Sequence, residues 1–200
     1  MTSSRDRRCV TSRLGYAILA LLARLPSTGY ELSARARRPL GYFWTAQHGQ
    51  IYPELSRLLD AGFVSFTTSP GPGPRHKKVY SVTAAGMREL AEWVVRPPAP
   101  ARGDRDEMLL KAYACWTADQ PAAAALFDDQ ISRHQERLAR YLADWQAVQS
   151  RHGGGPPPVT HPDFGSHATL RFGIDYERQR IGWLRWMADA LSAEKRLAGP

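Results

Sequence analysis

Two cysteines, Cys9 and Cys115, are all that 200 residues contain. They stand far apart and isolated, so they form neither a disulfide framework nor a metal-ligand pattern, and a reducing cytoplasm is the expected setting. Long apolar runs are also missing. No stretch approaches the roughly 18 residues that a membrane span needs. "LGYAILALLARLP" is too short, is interrupted by Arg24 and lacks a small-residue cleavage site, so it reads as a core helix and not as a signal peptide. There is no tandem repeat, and low complexity is confined to the alanines at 122–125 and one Gly/Pro loop. Catalytic constellations are absent too. His48 has no Ser or Cys nucleophile near it, and Asp104, Asp106 and Glu107 read as a helix start. Asp128 and Asp129 diverge on a helix and make a poor acid/base pair. No enzyme, cofactor or metal is expected.

What the chain has is positive charge. Lys plus Arg number 27 against 19 Asp plus Glu, a formal +8. Such a balance attracts an anionic partner, either nucleic acid or an anionic membrane surface. Apolar residues make up 43%, enough for a packed core, so the chain is not read as disordered.

Periodicity divides the chain. Residues 1–12 read as a basic N-terminal tail. Leu14, Ile18, Leu21, Leu22 and Leu25 recur at 3.6-residue spacing and predict a first helix that Pro26 ends. A second helix follows in "STGYELSARARR", where Thr28 and Glu31 are placed for a capping box and Arg35, Arg37 and Arg38 face outward. "LGYFW" connects to a third, short helix in "HGQIYPELSRLLDAG". Its start is ambiguous because Pro53 costs a hydrogen bond unless it lies in the first turn. Leu55, Leu58 and Leu59 face the core, and Gly62 is the stop. "FVSFTT" and "KKVYSVT" alternate as strands of a hairpin whose tip, "SPGPGPRHKK", is basic. Thr83 caps a fourth helix with Met87, Leu90, Trp93 and Val94 on one face. "RPPAPARG" reads as a linker, placed at residues 97–103.

The second half is helical. "RDEMLLKAYACW" opens with carboxylates, and Asp119 and Pro121 start a long helix to about Gln149. Along it Phe127, Ile131, His134, Leu138, Tyr141, Trp145 and Val148 form a heptad seam. After a Gly/Pro loop, a last helix from about Ser166 to Lys195 carries Leu170, Ile174, Ile181, Leu184, Ala188 and Leu191 on one face, with Trp183 and Met187 beside it.

The order helix, helix, helix, strand, basic turn, strand, helix is that of a winged helix-turn-helix. A helix fits the major groove and can reach base edges there. A basic hairpin beside it reaches phosphate or the adjacent minor groove. The expected fold is therefore mainly α with a small β-hairpin: a winged helix over 13–96 and a helical domain over 104–195.

"LGYAILALLARLPSTGYEL", "GQIYPELSRLLDAG" with the basic hairpin after it, "GPRHKKVYSVTAAG", "RDEMLLKAYACW" and "ATLRFGIDYERQR" together resemble the PadR family of transcriptional regulators. The second half is similar to its longer subfamily with a virulence-activator-alpha C-terminal domain. The resemblance implies a cytoplasmic, dimeric, DNA-binding repressor, often responsive to a small molecule. It also implies a third helix that includes Pro53. The wing departs from the commoner short Arg/Lys-rich form by inserting Gly-Pro repeats.

Position then nominates residues. Gln47, His48, Gln50 and Tyr52 begin the third helix and should meet DNA first, with Gln50 able to pair with adenine. Arg57 reaches phosphate. Ser27, Thr28 and Tyr30, at the start of the second helix, position phosphate. Arg75, His76, Lys77 and Lys78 form the wing. In the second half, Phe127, Ile131, Leu138, Tyr141, Trp145, Ile181 and Leu184 are the expected dimerisation residues, because a heptad stripe needs a facing helix. His134, on that stripe, is either a packing histidine or a polar device that sets register. Trp44, Trp116, Trp145, Trp183 and Trp186 are core and interface residues, or else, for the last four, line a pocket for a small aromatic or hydrophobic effector. The competing reading of the whole chain is a basic scaffold that binds nucleic acid without reading sequence.

Overall fold

The structure is a computed structural model that describes residues 11–36, 48–69, 77–98 and 106–197. Its contacts separate into two units, one reaching Pro98 and the other beginning at Ala99.

In the first unit, α1 (Arg13–Arg24) is followed by a two-residue strand β1 (Ser27–Thr28), α2 (Gly29–Ala36) and α3 (His48–Asp60). Strands β2 (Val64–Ser69) and β3 (Lys77–Val82) and helix α4 (Ala84–Val95) complete it. Local chemistry sets the ends. Ser12 caps α1, accepting from the Gly15 N–H, so it belongs to the folded unit and not to a tail. Thr28 and Glu31 close the capping box on α2: the Glu31 N–H donates to the Thr28 hydroxyl at 3.2 Å, and the Thr28 N–H donates to the Glu31 carboxylate at 2.7 Å. Gly62, at φ +71°, stops α3, with Gly62 N–H donating to Leu59 O and Phe63 N–H to Leu58 O. That is the double bond of a Schellman turn, which needs a left-handed residue that glycine supplies without strain.

The hairpin has a third strand that the sequence did not announce. Strand order is β1-β3-β2, all antiparallel, with Ser27 opposite Tyr80 and Phe66 opposite Tyr80 on the other side. Tyr16, Ile18, Leu19 and Leu22 of α1 form one core with Leu32, Ile51, Leu55, Leu58, Val64 and Tyr80. Burying side chains of this size is worth about 1.5–3 kcal/mol each. α4 departs from its expected face. Trp93 stacks on Tyr16, with ring centroids 4.5 Å apart, and Leu90 is half-buried, but Met87 and Val94 are exposed.

The second unit begins with α5 (Glu107–Tyr113) and a 3-10 turn (Cys115–Thr117), followed by two long helices, α6 (Gln120–Ser150) and α7 (Pro162–Leu197). Asp119 caps α6 by accepting from the Ala122 N–H. The two long helices pack antiparallel: Phe127 meets Trp183, Arg137 meets Glu177, and Arg151 meets Asp163. The heptad stripe of α6 thus has its facing helix within the same chain. Phe127, Tyr141, Ile181 and Leu184 are buried there, with Ile131, Leu138 and Trp145 partly so. The stripe therefore finds a facing helix without calling on a second chain. A heptad stripe calls for a partner helix but does not say which chain supplies it.

Candidate nucleic-acid interface

α3 is amphipathic in the sense that presentation to a ligand requires. Ile51, Glu54, Leu55 and Leu58 face inward at helical spacing, while Gln50, Tyr52, Pro53, Ser56 and Arg57 face out. Pro53 lies inside the helix, as the family resemblance implied. Its ring costs the bond to the Gly49 carbonyl, at an exposed position where water can replace it.

The buried Glu54 anchors this face. Its carboxylate accepts from the Ser12 hydroxyl at 2.6 Å and from the Arg57 guanidinium at 2.8 Å. Arg57 is thereby held at its base while 69% of its side chain stays exposed. Tyr52 is set by a different contact. A Cβ at Gly29 would lie 2.6 Å from the Tyr52 ring, so the ring rests directly on the first residue of α2.

Lys77 and Lys78 begin β3, both exposed, opposite Ser69 and Thr68. The Lys78 ammonium sits 4.3 Å above the Phe66 ring, and Phe66 in turn packs on Tyr80. A cation–π contact of this kind fixes where the charge points. Arg75 and His76 fall outside the described residues, as do Gln47 and Trp44. His48 opens α3, but its side chain is not described.

The start of α2 differs from its expected role. Ser27 is buried. Its hydroxyl donates to Leu25 O at 3.1 Å and accepts from Arg35 at 2.6 Å, because β1 tucks it against β3. It cannot offer its hydroxyl to phosphate. Arg35 therefore turns inward, contrary to the outward reading of that helix face, and burial lowers its guanidinium from the usual value. Thr28 is committed to the capping box. The Glu31 carboxylate is held below the ordinary carboxylate value, chiefly by the Thr28 N–H and then by the Thr28 hydroxyl, with Lys77 and Arg35 assisting. Of the three residues nominated there, Tyr30 alone stands out into solvent, at 73% exposure.

The four tryptophans of the helical unit do not converge within one chain. Trp183 is edge-on to Phe127 near the start of α6, with Arg180 over its ring. Trp145 stacks on His167 at 3.9 Å. Residues 127 and 145 are roughly 27 Å apart along one helix at 1.5 Å per residue. Trp116 and Trp186 are exposed. A single-chain pocket lined by all four is thus ruled out by spacing alone.

Polar pairs inside this unit were mostly silent in the sequence. His134 hydrogen-bonds the buried Glu177, which also accepts from Arg137. Arg180 grips Asp106 with two nitrogens, at 2.8 and 2.9 Å. At the loop between the long helices, His152, His161 and Asp163 come together. The pairing partners are 11 to 74 residues apart in sequence, and helical periodicity locates apolar faces, not polar partners across a hairpin.

A three-helix core, a recognition-type helix with an outward polar face and a basic-edged antiparallel hairpin define a winged-helix protein. The description "Transcriptional regulator PadR-like family" matches residues 18–92, and "Virulence activator alpha C-term" matches residues 105–192. The negative transcriptional regulator PadR of Bacillus subtilis (strain 168) is 34% identical over 171 residues, which are 86% of this chain and 93% of that protein. The crystal structure of Bacillus subtilis PadR in complex with operator DNA superimposes with a TM-score of 0.79 at 32% identity, over 90% of this chain and 99% of that one. Its complex with p-coumaric acid gives 0.73 at 32% identity, over 90% and 98%. The chain belongs to the PadR-like family, whose members are transcriptional regulators and not enzymes.

Proposed function

We propose that this chain is a homodimeric repressor that binds operator DNA through α3 and the wing, and whose hold on DNA answers to a small aromatic or hydrophobic effector. The observation that carries the reading is the outward face of α3. Gln50 and Tyr52 stand there with an anchored Arg57, in the same unit as a hairpin edge carrying Lys77 and Lys78. Gln50 would read a base edge, since its amide can both donate and accept toward adenine. Arg57, Lys77 and Lys78 would neutralise phosphates, with Tyr30 at the start of α2. Arg75, His76, Gln47 and His48 would join them in contacting DNA, as the sequence suggests. The domains are the winged helix over 13–96, a linker at 97–103 and the helical unit over 104–195. A cytoplasmic setting agrees with a DNA target, and no described helix is long and apolar enough to cross a membrane.

The homodimer draws support from α5. Leu109, Leu110, Tyr113 and, just beyond, Trp116 are exposed, the last two at 85% and 78%. Four large apolar side chains on so short a segment are poorly accommodated in water and are well placed to meet a second copy. A two-fold dimer then implies half-sites about one helical turn apart. Effector control draws support from the p-coumaric acid complex of the Bacillus subtilis relative. An effector would act by preferring one arrangement of the two wings over another.

The test is selection of bound duplexes from a random pool at near-physiological salt, with light scattering on the same sample. A pseudo-palindrome recovered on a dimer is expected. Titration of the complex with p-coumaric acid then reports release. Salt-sensitive binding with no enriched sequence would leave only a basic scaffold and remove the base-reading role of Gln50.

A further inference from the structure

The turn joining α6 to α7 is built to bring its two ends together. Gly153 and Gly154 both take left-handed backbone, at φ +67° and +87°, and Gly154 N–H returns to Gln149 O at 2.9 Å. His161 N–H donates to Pro158 O at 2.8 Å, and the Phe164 N–H donates to His161 O, which starts α7. The result sets His152, from the end of α6, against His161 and Asp163, from the start of α7. One ring nitrogen from each histidine and one Asp163 oxygen lie within 4.8 Å of one another. His152 Nε2 is 3.1 Å from Asp163 Oδ2, the two imidazoles are 4.7 Å apart, and His161 Nδ1 accepts the Asp163 N–H at 3.1 Å.

We propose that His152, His161 and Asp163 form a binding site for a divalent transition ion of the Zn2+ type, with three protein ligands and the remaining position left to water. Around Zn2+, nitrogen and oxygen ligands at about 2.0–2.2 Å stand roughly 3.3 Å from one another. Closing from the present spacing, within 4.8 Å, draws the three donor atoms together, and His161 either ligates through Nε2 or gives up the Asp163 N–H at Nδ1. The donor set selects the ion. Two imidazoles and one carboxylate suit Zn2+, Co2+ or Ni2+, whereas Ca2+ and Mg2+ ask for more oxygens.

Two features oppose a cation here, and both sharpen the assignment. The positive end of α7 lies beside Asp163, and the Arg151 guanidinium donates to Asp163 Oδ2 at 3.3 Å. Only an ion that bonds imidazole strongly overcomes them. Arg151 is more than half exposed, so it can swing into water when the carboxylate turns to the metal. Metal at His152 Nε2 replaces the hydrogen bond between that nitrogen and Asp163, and the imidazole then carries its N–H on Nδ1. The effect of the ion is to cross-link the two long helices at the end where the chain turns.

The test uses the full chain, stripped with a chelator and titrated with Zn2+ by calorimetry and with Co2+ by absorption. One ion per chain is expected, with a visible Co2+ spectrum. His152→Ala and His161→Ala should each weaken binding by at least the ~10–100-fold that outer-shell partners alone command. Arg151→Ala should tighten it, an outcome that a merely structural role for the cluster would not produce. His161 is exposed, so His161→Ala is expected to keep its helix content by circular dichroism and carries the result if His152→Ala does not fold. No binding of Zn2+ or Co2+ by the wild-type chain, or binding unchanged in a His152→Ala/His161→Ala double variant, overturns the proposal. Neither result depends on whether the chain binds DNA.

Discussion

His134 of α6 and Glu177 of α7 hydrogen-bond inside the helical hairpin, where both are buried. Arg137 adds a second donor to the same carboxylate at 3.1 Å. Glu177 also reaches further: burial first, and then its charge, push the Tyr141 hydroxyl above the usual tyrosine value. A polar pair on an otherwise apolar seam fixes how one helix slides along the other, because any other register strands a charge. His134→Ala should therefore cost about 3 kcal/mol, read by chemical denaturation, since Glu177 keeps Arg137 but loses its buried donor. Replacing both, as His134→Leu/Glu177→Leu, should recover most of that loss, because well-packed apolar residues commonly match a buried polar pair. A double variant as unstable as the single would show that the pair stabilises outright and does not merely specify register.

Asp106 provides the pH-sensitive contact. It caps α5 through the Met108 and Leu109 N–H groups and holds Arg180. Burial by itself raises the carboxyl, but the Arg180 hydrogen bond and charge and the two backbone donors outweigh it, and the net shift is downward. A carboxylate whose folded value is depressed contributes its stability above the unfolded value, near 4, and loses it as pH falls through the folded value. Asp106→Asn should thus lower the melting temperature of the helical unit at pH 7, and the difference from wild type should shrink as pH falls below the unfolded value and through the folded one. A difference that stays constant with pH would mean that the cap, and not the charge, is what matters.

Gly86 carries a backbone contact. A Cβ there would stand 2.1 Å from the Phe63 carbonyl oxygen, with Val82 at 2.9 Å. The wing and α4 meet at this point, clamped further by the Thr83 hydroxyl donating to Gly62 O at 2.7 Å. Gly86→Ala must push α4 off the hairpin and should destabilise the winged helix by about 1–3 kcal/mol. Gly49→Ala, where a Cβ would meet nothing, is the control. Equal stability of the two variants would show that α4 can move away at no cost.

The legibility of this chain was uneven for physical reasons. Elements marked by local chemistry could be read directly: the Thr28–Glu31 capping box, Gly62 as a stop, and Asp119 with Pro121 at the head of α6. Each is decided within four residues. The third strand was hidden because two residues, Ser27 and Thr28, carry no alternation. Ser27 reads as a phosphate ligand because its hydroxyl's partner, Arg35, lies eight residues on, in the last turn of α2, where the sequence pattern points it outward. The heptad stripe was legible as a stripe, but its partner was not, since α7 carries an equally apolar face and a loop of eleven residues, 151–161, suffices to fold it back. The histidines of that loop are hidden because Gly/Pro composition reads as a spacer. The spacing His152-x8-His161-x-Asp163 was the available signal.

The dimer surface can now be tested against the seam. Leu110→Asp, on the exposed face of α5, should give a monomer by light scattering with helix content unchanged. Phe127→Asp should instead unfold the helical unit, because Phe127 is buried between α6 and α7. If Leu110→Asp remained dimeric, the α5 face would not be the interface. If Phe127→Asp gave a folded monomer, the seam itself would open to a partner.

Glu31 makes the last test, because its charge sits where DNA backbone is expected. The start of α2 offers free N–H groups and a positive dipole end to phosphate. Here the Glu31 carboxylate already occupies that end, held below the ordinary carboxylate value through Thr28. A negative charge there repels phosphate while it stabilises the helix. Glu31→Gln separates the two effects, since glutamine can still reach back to the Thr28 N–H and keep the capping box. Binding to any duplex should tighten, with the slope of log affinity against log salt steepening by up to about one unit. Lys77→Ala and Lys78→Ala should move it the opposite way, by about one unit each, without changing which sequence is preferred. Gln50→Ala should leave the slope alone and cost roughly 1–3 kcal/mol at a single base position. If Glu31→Gln changes neither affinity nor slope, the α2 N-terminus lies away from the phosphates, and the approach to DNA rests on α3 and the wing without it.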